Sequence, residues 1–141
     1  MPTRHATAVW EGGLKSGKGT FKGESGAIEA GYSFGTRFEN AKGSNPEELL
    51  AAAEAACYSM ALSGGLEKAG KAPTRVQTDA ACTVERVGEG FKITTMKLTV
   101  RAAVPGIAPD EFQKIAEATK EGCPVSQALK GVAIELDARL A

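Results

Sequence analysis

The chain is poor in the groups that hold metals and in the patterns that staple small secreted folds. It has one histidine, His5, and none of its three cysteines lies in a C-x-x-C pair. A structural zinc site needs four good ligands, so zinc is not expected, and His5 reads as a solvated residue near a frayed terminus. An odd cysteine count argues against a secreted disulfide framework. No uninterrupted apolar run of eighteen residues occurs, which argues against a membrane-spanning helix. The N-terminal stretch Met1-Pro2-Thr3-Arg4-His5 lacks the apolar core of a secretory signal, so the expected compartment is the cytoplasm. Neither sign of charge dominates: 17 basic side chains balance 17 acidic ones. No broad field therefore attracts nucleic acid or an anionic membrane. The one basic cluster, Lys15, Lys18 and Lys22, reads as a solvated loop.

What is present suits one α+β domain over 1–141 with a real core. The first 38 residues read as glycine-punctuated strands: His5 to Trp10, Gly19 to Gly23 and Ala27 to Phe34, an antiparallel meander. Asn45-Pro46-Glu47-Glu48 is a helix start, with Asn45 as N-cap, Pro46 at the first helical position and two glutamates at the positive dipole end. The helix runs from Pro46 past Leu62 towards Lys68, weakened at Gly64-Gly65, and Gly70 stops it. Leu49, Leu50, Ala53, Ala56, Cys57 and Met60 share one apolar face at helical spacing. Two strands follow, Thr74 to Val87 and Phe91 to Val104, turning at Gly88-Glu89-Gly90. Pro109 to Glu121 reads as a helix with Phe112, Ile115, Ala116 and Thr119 inward. Cys123 to Leu129 is a short helix, and Val132 to Leu140 is a last strand. The order βββ-α-ββ-α-α-β indicates α+β architecture. The alanines of Ala51-Ala52-Ala53 and Ala55-Ala56 permit close approach of a second helix, as in a homodimer, or face the chain's own sheet.

Two cysteines invite chemistry. Cys57 lies mid-helix, where burial raises a thiol pKa and makes it inert unless a positive group or hydrogen-bond donor intervenes. Cys123 precedes Pro124 at a helix start, where backbone N–H groups favour an anion. That placement suits either a nucleophile or a leaving thiolate, and local electrostatics do not separate the roles. Cys82, in Ala80-Ala81-Cys82-Thr83-Val84, reads as a core residue of a strand.

Asn45-Pro46-Glu47-Glu48-Leu49, Ala55-Ala56-Cys57-Tyr58-Ser59-Met60-Ala61-Leu62 and Gly122-Cys123-Pro124-Val125-Ser126-Gln127-Ala128-Leu129 closely resemble the OsmC/Ohr family. Trp10-Glu11-Gly12, Thr36-Arg37-Phe38-Glu39 and Pro105-Gly106-Ile107 resemble its OsmC branch. The resemblance implies an intertwined homodimer with antiparallel sheets wrapped around long central helices. It also implies thiol-dependent reduction of organic hydroperoxides and hydrogen peroxide. Carried over, Cys57 is the peroxidatic thiol, Cys123 resolves it in an intrasubunit disulfide, Arg37 lowers the pKa of Cys57 and orients the peroxide, and Glu47 holds Arg37. The oxidation ladder then runs from thiolate to sulfenic acid to disulfide. No resident cofactor is implied; an external dithiol, such as a lipoyl protein, restores the thiols. An apolar rim of Phe38, Met60 and Ile107 would favour alkyl substrates.

Glu47 and Cys57 stand ten residues apart on one helix, about 15 Å of rise. One Arg37 cannot easily join both within a chain. Arg37 and Glu47 are therefore expected to reach Cys57 from the partner subunit. The rival readings are a redox sensor and an apolar-ligand carrier without turnover.

Overall fold

The computed structural model describes residues 1–141 as two compact units, Met1–Leu49 and Leu50–Ala141. In the first unit, β1 (Ala6–Glu11), β2 (Lys18–Gly23) and β3 (Glu29–Tyr32) form an antiparallel meander. Trp10 and Phe21 pack their rings against Tyr32 at centroid distances of 5.3 and 5.6 Å. Gly19 is required beneath them, because a Cβ there would come within 2.6 Å of the Tyr32 ring and 2.7 Å of Trp10.

The chain then departs from expectation. The third strand ends at Tyr32, and residues Phe34–Phe38 form a short helix, α1. Its cause is local. The Ser33 hydroxyl accepts from the Thr36 N–H, and the Thr36 hydroxyl accepts from the Ser33 N–H. This reciprocal capping box closes the first turn. Phe34 and Phe38 then stack one turn apart at 5.1 Å.

Helix α2 spans Pro46–Lys68. The Asn45 side chain accepts from the Glu48 N–H at 2.8 Å, as an N-cap does. Gly70, at φ +74°, takes the left-handed turn that ends the run. In the second unit α2 is followed by β4 (Arg75–Val87), β5 (Gly90–Ala103), α3 (Pro109–Gly122), α4 (Pro124–Ala128) and β6 (Ala133–Leu140). Strands β4 and β5 pair antiparallel, but β6 joins β5 in parallel. The expectation of purely antiparallel sheets is thus corrected for this one. A parallel neighbour needs a long crossover, and α3 with α4 supplies it.

The core of the second unit comprises Tyr58, Leu62 and Leu66 of α2, Met96, Leu98, Val100 and Ala102 of β5, Phe112 and Ala116 of α3, and Ala138 of β6. Alternate β5 residues point inward because side chains on a strand repeat every second position. Each large aliphatic residue buried here stabilises the fold by about 1.5–3 kcal/mol. Cys82 sits in β4 opposite Met96 and packs against this core.

The inward stripe of α2 corrects a second expectation. Glu54, Tyr58, Leu62 and Leu66, spaced four apart, are fully buried. Ala52, Ala53 and Ala56 are exposed, and Met60 is 81% exposed. Of the anticipated apolar face, Leu50 packs against the core and Cys57 meets Cys123, whereas Ala53, Ala56 and Met60 turn outward. Ala52, Ala53 and Ala56 therefore do not pack on the chain's own sheet, while Ala51 and Ala55 are half-buried. Despite its interruption by Glu54, α2 is also long and apolar enough, by length and composition, to cross a membrane. Its buried Tyr58, Leu62 and Leu66 mark it as the core helix of the second unit.

Candidate active site

Cys57 occupies the middle of α2, one residue before the buried Tyr58. Cys123 sits where α3 ends and α4 begins. Its N–H closes α3 by donating to the Thr119 carbonyl at 2.9 Å. Pro124 then starts α4 without an N–H to continue the earlier ladder. The break turns the Cys123 side chain inward, where it is 1% exposed and makes no cap hydrogen bond. Instead its thiol donates to the Cys57 sulfur at 2.9 Å, across 66 positions of sequence. A disulfide bond is about 2.05 Å, so the pair is a dithiol in close contact, and both cysteines are free.

Four further groups shape this pair. The Val125 N–H hydrogen-bonds the Cys57 sulfur from the first turn of α4 and favours its thiolate. Burial, the neighbouring Cys123 and the charge of Glu54 act the other way, and their balance raises the Cys57 thiol above its ordinary value. Burial is the largest cause. No cation is among the groups acting on it. The Tyr58 hydroxyl, bonded to the Ala116 carbonyl at 2.9 Å, ties α2 to α3 beside the thiols. Glu54, fully buried, accepts a short hydrogen bond from the Ser126 hydroxyl.

Arg37 and Glu47 meet in the first unit. Arg37 lies in the last turn of α1, and Glu47 in the first turn of α2. The Arg37 Nε donates to both Glu47 carboxylate oxygens, at 3.0 and 3.2 Å, and Nη2 reaches Oε1 at 2.9 Å. Glu47 is 5% exposed and its partner's side chain 36%. Such a fork fixes the guanidinium plane. The Asn45 amide donates to the Thr36 carbonyl at 2.8 Å and holds the same turn. Beside Arg37 lies a pocket of about 210 Å³ lined by Trp10, Leu14, Tyr32, Phe34 and Phe38.

The structure therefore brings the four anticipated residues together as two pairs, Cys57 with Cys123 and Arg37 with Glu47. Of the anticipated rim, Phe38 lines the pocket, Met60 is exposed, and Ile107 packs against the core. Glu54 and Ser126 escaped the sequence reading. The signal was there: Glu54 is the one charged residue between Glu48 and Glu67 of the helix.

An α+β fold with a part-buried, contacting thiol pair drawn from a helix centre and a helix junction defines a cysteine-based redox protein. The chain belongs to the OsmC-like protein family, whose family model matches residues 39–137. It is 51% identical to Peroxiredoxin OsmC of Escherichia coli (strain K12) over 134 residues, 94% of this chain and 93% of that one. It is 33% identical over 90 residues to the organic hydroperoxide resistance protein of Xanthomonas axonopodis pv. citri, covering 63% and 61%. The crystal structure of an organic hydroperoxide resistance protein from Elizabethkingia anophelis superposes with a TM-score of 0.79 at 26% identity, over 100% of this chain and 98% of that one.

Proposed function

We propose that the chain is a thiol-dependent peroxidase that reduces organic hydroperoxides, and hydrogen peroxide, through Cys57. One observation carries the reading: the Cys123 thiol rests against the Cys57 sulfur at 2.9 Å in a part-buried site. The Cys57 thiolate attacks the distal peroxide oxygen. The O–O bond breaks, the alkoxide takes up a proton, and alcohol leaves. Cys57 becomes a sulfenic acid. The Cys123 sulfur then displaces the hydroxyl, giving water and a disulfide. An external dithiol, for which a protein-borne lipoyl group is the reading adopted, reduces that disulfide by two exchanges and ends as its own cyclic disulfide.

The substrate preference rests on the pocket beside Arg37, whose aromatic lining suits an alkyl or aryl chain. Its apolar walls reward organic groups that hydrogen peroxide lacks.

The active form is a homodimer, and the two units of each chain work as one domain in the cytoplasm. Two observations support the dimer. The stripe Ala52, Ala53, Ala56 and Met60 lies bare on α2. Burial chiefly holds the Cys57 thiol above its ordinary pKa within the second unit, so its activation calls for a cation. The partner subunit's Arg37 supplies the missing charge and lowers that pKa, oriented by the partner subunit's Glu47.

The test is steady-state consumption of cumene hydroperoxide with dithiothreitol or dihydrolipoamide. Sustained turnover that Cys57→Ser abolishes supports the peroxidase. A wild-type chain oxidised once without turnover contradicts it and favours a sensor.

A further inference from the structure

Cys57 and Glu54 lie one turn apart on α2. Cys123 and Ser126 lie three residues apart across the start of α4. The two thiols touch, and so do the two oxygen-bearing side chains. The helices are therefore joined by two parallel rungs, one of sulfur and one of oxygen. Glu54 is 0% and Ser126 3% exposed. The second Glu54 oxygen, Oε2, is buried without a hydrogen-bond partner. A polar atom left so costs about 1–3 kcal/mol, and an alanine, as at most neighbouring positions of α2, would avoid that cost. The carboxylate is thus kept against stability, next to the thiols.

We propose that Glu54 and Ser126 form the positioning pair of the resolving step, clamping the α4 turn onto α2 so that the Cys123 sulfur stays in line with Cys57. This inference rests on the peroxidase reading above. Closing the disulfide shortens the sulfur separation by under about 1 Å, and the oxygen rung keeps that approach short while Cys57 carries its extra oxygen. The step balances: the S–O bond of the sulfenic acid breaks, the S–S bond forms, and the Cys123 proton leaves with the hydroxyl as water. The Glu54 charge has a second consequence. It opposes a thiolate at Cys57 and so favours the forms of that sulfur that carry no charge, the sulfenic acid and the disulfide. Within the unit, the titratable groups acting on Cys57 are Glu54 from α2 and Cys123 from the helix junction; Glu117 of α3 acts on the adjacent Tyr58.

The experiment mixes the reduced full-length protein with one equivalent of cumene hydroperoxide. Intact mass then follows the sulfenic acid and the disulfide over time. Ser126→Ala removes the donor. It is expected to slow disulfide closure relative to sulfenic acid formation by roughly ten- to a hundredfold, the scale of a 1 Å misplacement, and Ser126→Thr, which keeps a hydroxyl, to restore it. Glu54→Gln keeps an acceptor for Ser126 but loses the charge. In a background lacking Cys82 and Cys123, it is expected to move alkylation of Cys57 to lower pH. A closure ratio unchanged by Ser126→Ala, a slow step that Ser126→Thr does not restore, or an unmoved pH profile in Glu54→Gln overturns the proposal. A wild-type chain that forms neither sulfenic acid nor disulfide overturns the peroxidase reading, and this inference with it.

Discussion

Cys123 donates its thiol hydrogen to the sulfur of Cys57 at 2.9 Å, although the two lie 66 positions apart. The contact comes from α2 crossing the junction of α3 and α4, where Pro124 interrupts the ladder and turns Cys123 inward. On the mechanism proposed above, a sulfenic acid at Cys57 would meet a thiol before it met a second peroxide.

Cys123→Ser should accordingly consume about two peroxides per chain, one at each oxidation of Cys57, and then fail. Excess cumene hydroperoxide should carry Cys57 to sulfinic acid, which an ordinary dithiol does not reverse. The check is intact mass: an added two oxygens on the variant, against a reversible loss of two hydrogens on the wild type.

A site shared between subunits predicts complementation. Cys57→Ser chains and Arg37→Ala chains should each be nearly inactive as homodimers. Mixing and reassembling them places a complete site in each mixed dimer, since the Arg37→Ala chain offers Cys57 and its partner offers Arg37. Activity should recover to about a quarter of wild type, one site of two in half of the dimers. No recovery would place the arginine and the cysteine of one chain in one site.

A site shared between subunits would also set the pH dependence. Alone, the folded chain holds the Cys57 proton more tightly than an ordinary thiol does, chiefly through burial. Its raised pKa means that the associated stability is present below the ordinary thiol range and is lost as pH rises through the folded value. On the proposed dimer, the partner subunit's Arg37 would reverse that shift. The double variant Ala52→Gln and Ala56→Gln adds bulk but no charge to the exposed stripe. It should yield monomers by sedimentation, and their Cys57 should alkylate at higher pH than in the wild-type dimer.

Stability resides in the inward stripe of α2. Leu62 is fully buried, so Leu62→Ala should cost about 2–5 kcal/mol in denaturant unfolding. Met60→Ala, on the exposed stripe, should leave the stability of a dissociated monomer within about 0.5 kcal/mol.

Much of this was legible in the sequence where a local rule acts alone. Asn45-Pro46 announced α2, and Gly70 its end, because capping and glycine geometry need no distant partner. Phe112, Ala116 and Thr119 revealed the inward face of α3 by spacing. The face of α2 read correctly only at Leu50 and Cys57, because alanine and methionine suit a core and a subunit contact equally. Only tertiary packing shows that Glu54, Tyr58, Leu62 and Leu66 turn inward. Helix α1 was missed although Ser33 and Thr36 stand at capping-box spacing, since five residues carry too little periodicity. The parallel seat of β6 follows from where the crossover lands, which no local pattern records. The thiol pair was nominated by motif resemblance; spacing alone could not join two residues so far apart.

The most direct test of the account is a single-turnover experiment on the reduced wild-type chain with one equivalent of cumene hydroperoxide, followed by peptide mapping. The account predicts about one cumyl alcohol per chain, by the stoichiometry of a two-electron couple, and a disulfide joining the peptides that carry Cys57 and Cys123. Peroxide left unconsumed, or a disulfide through Cys82, would contradict it.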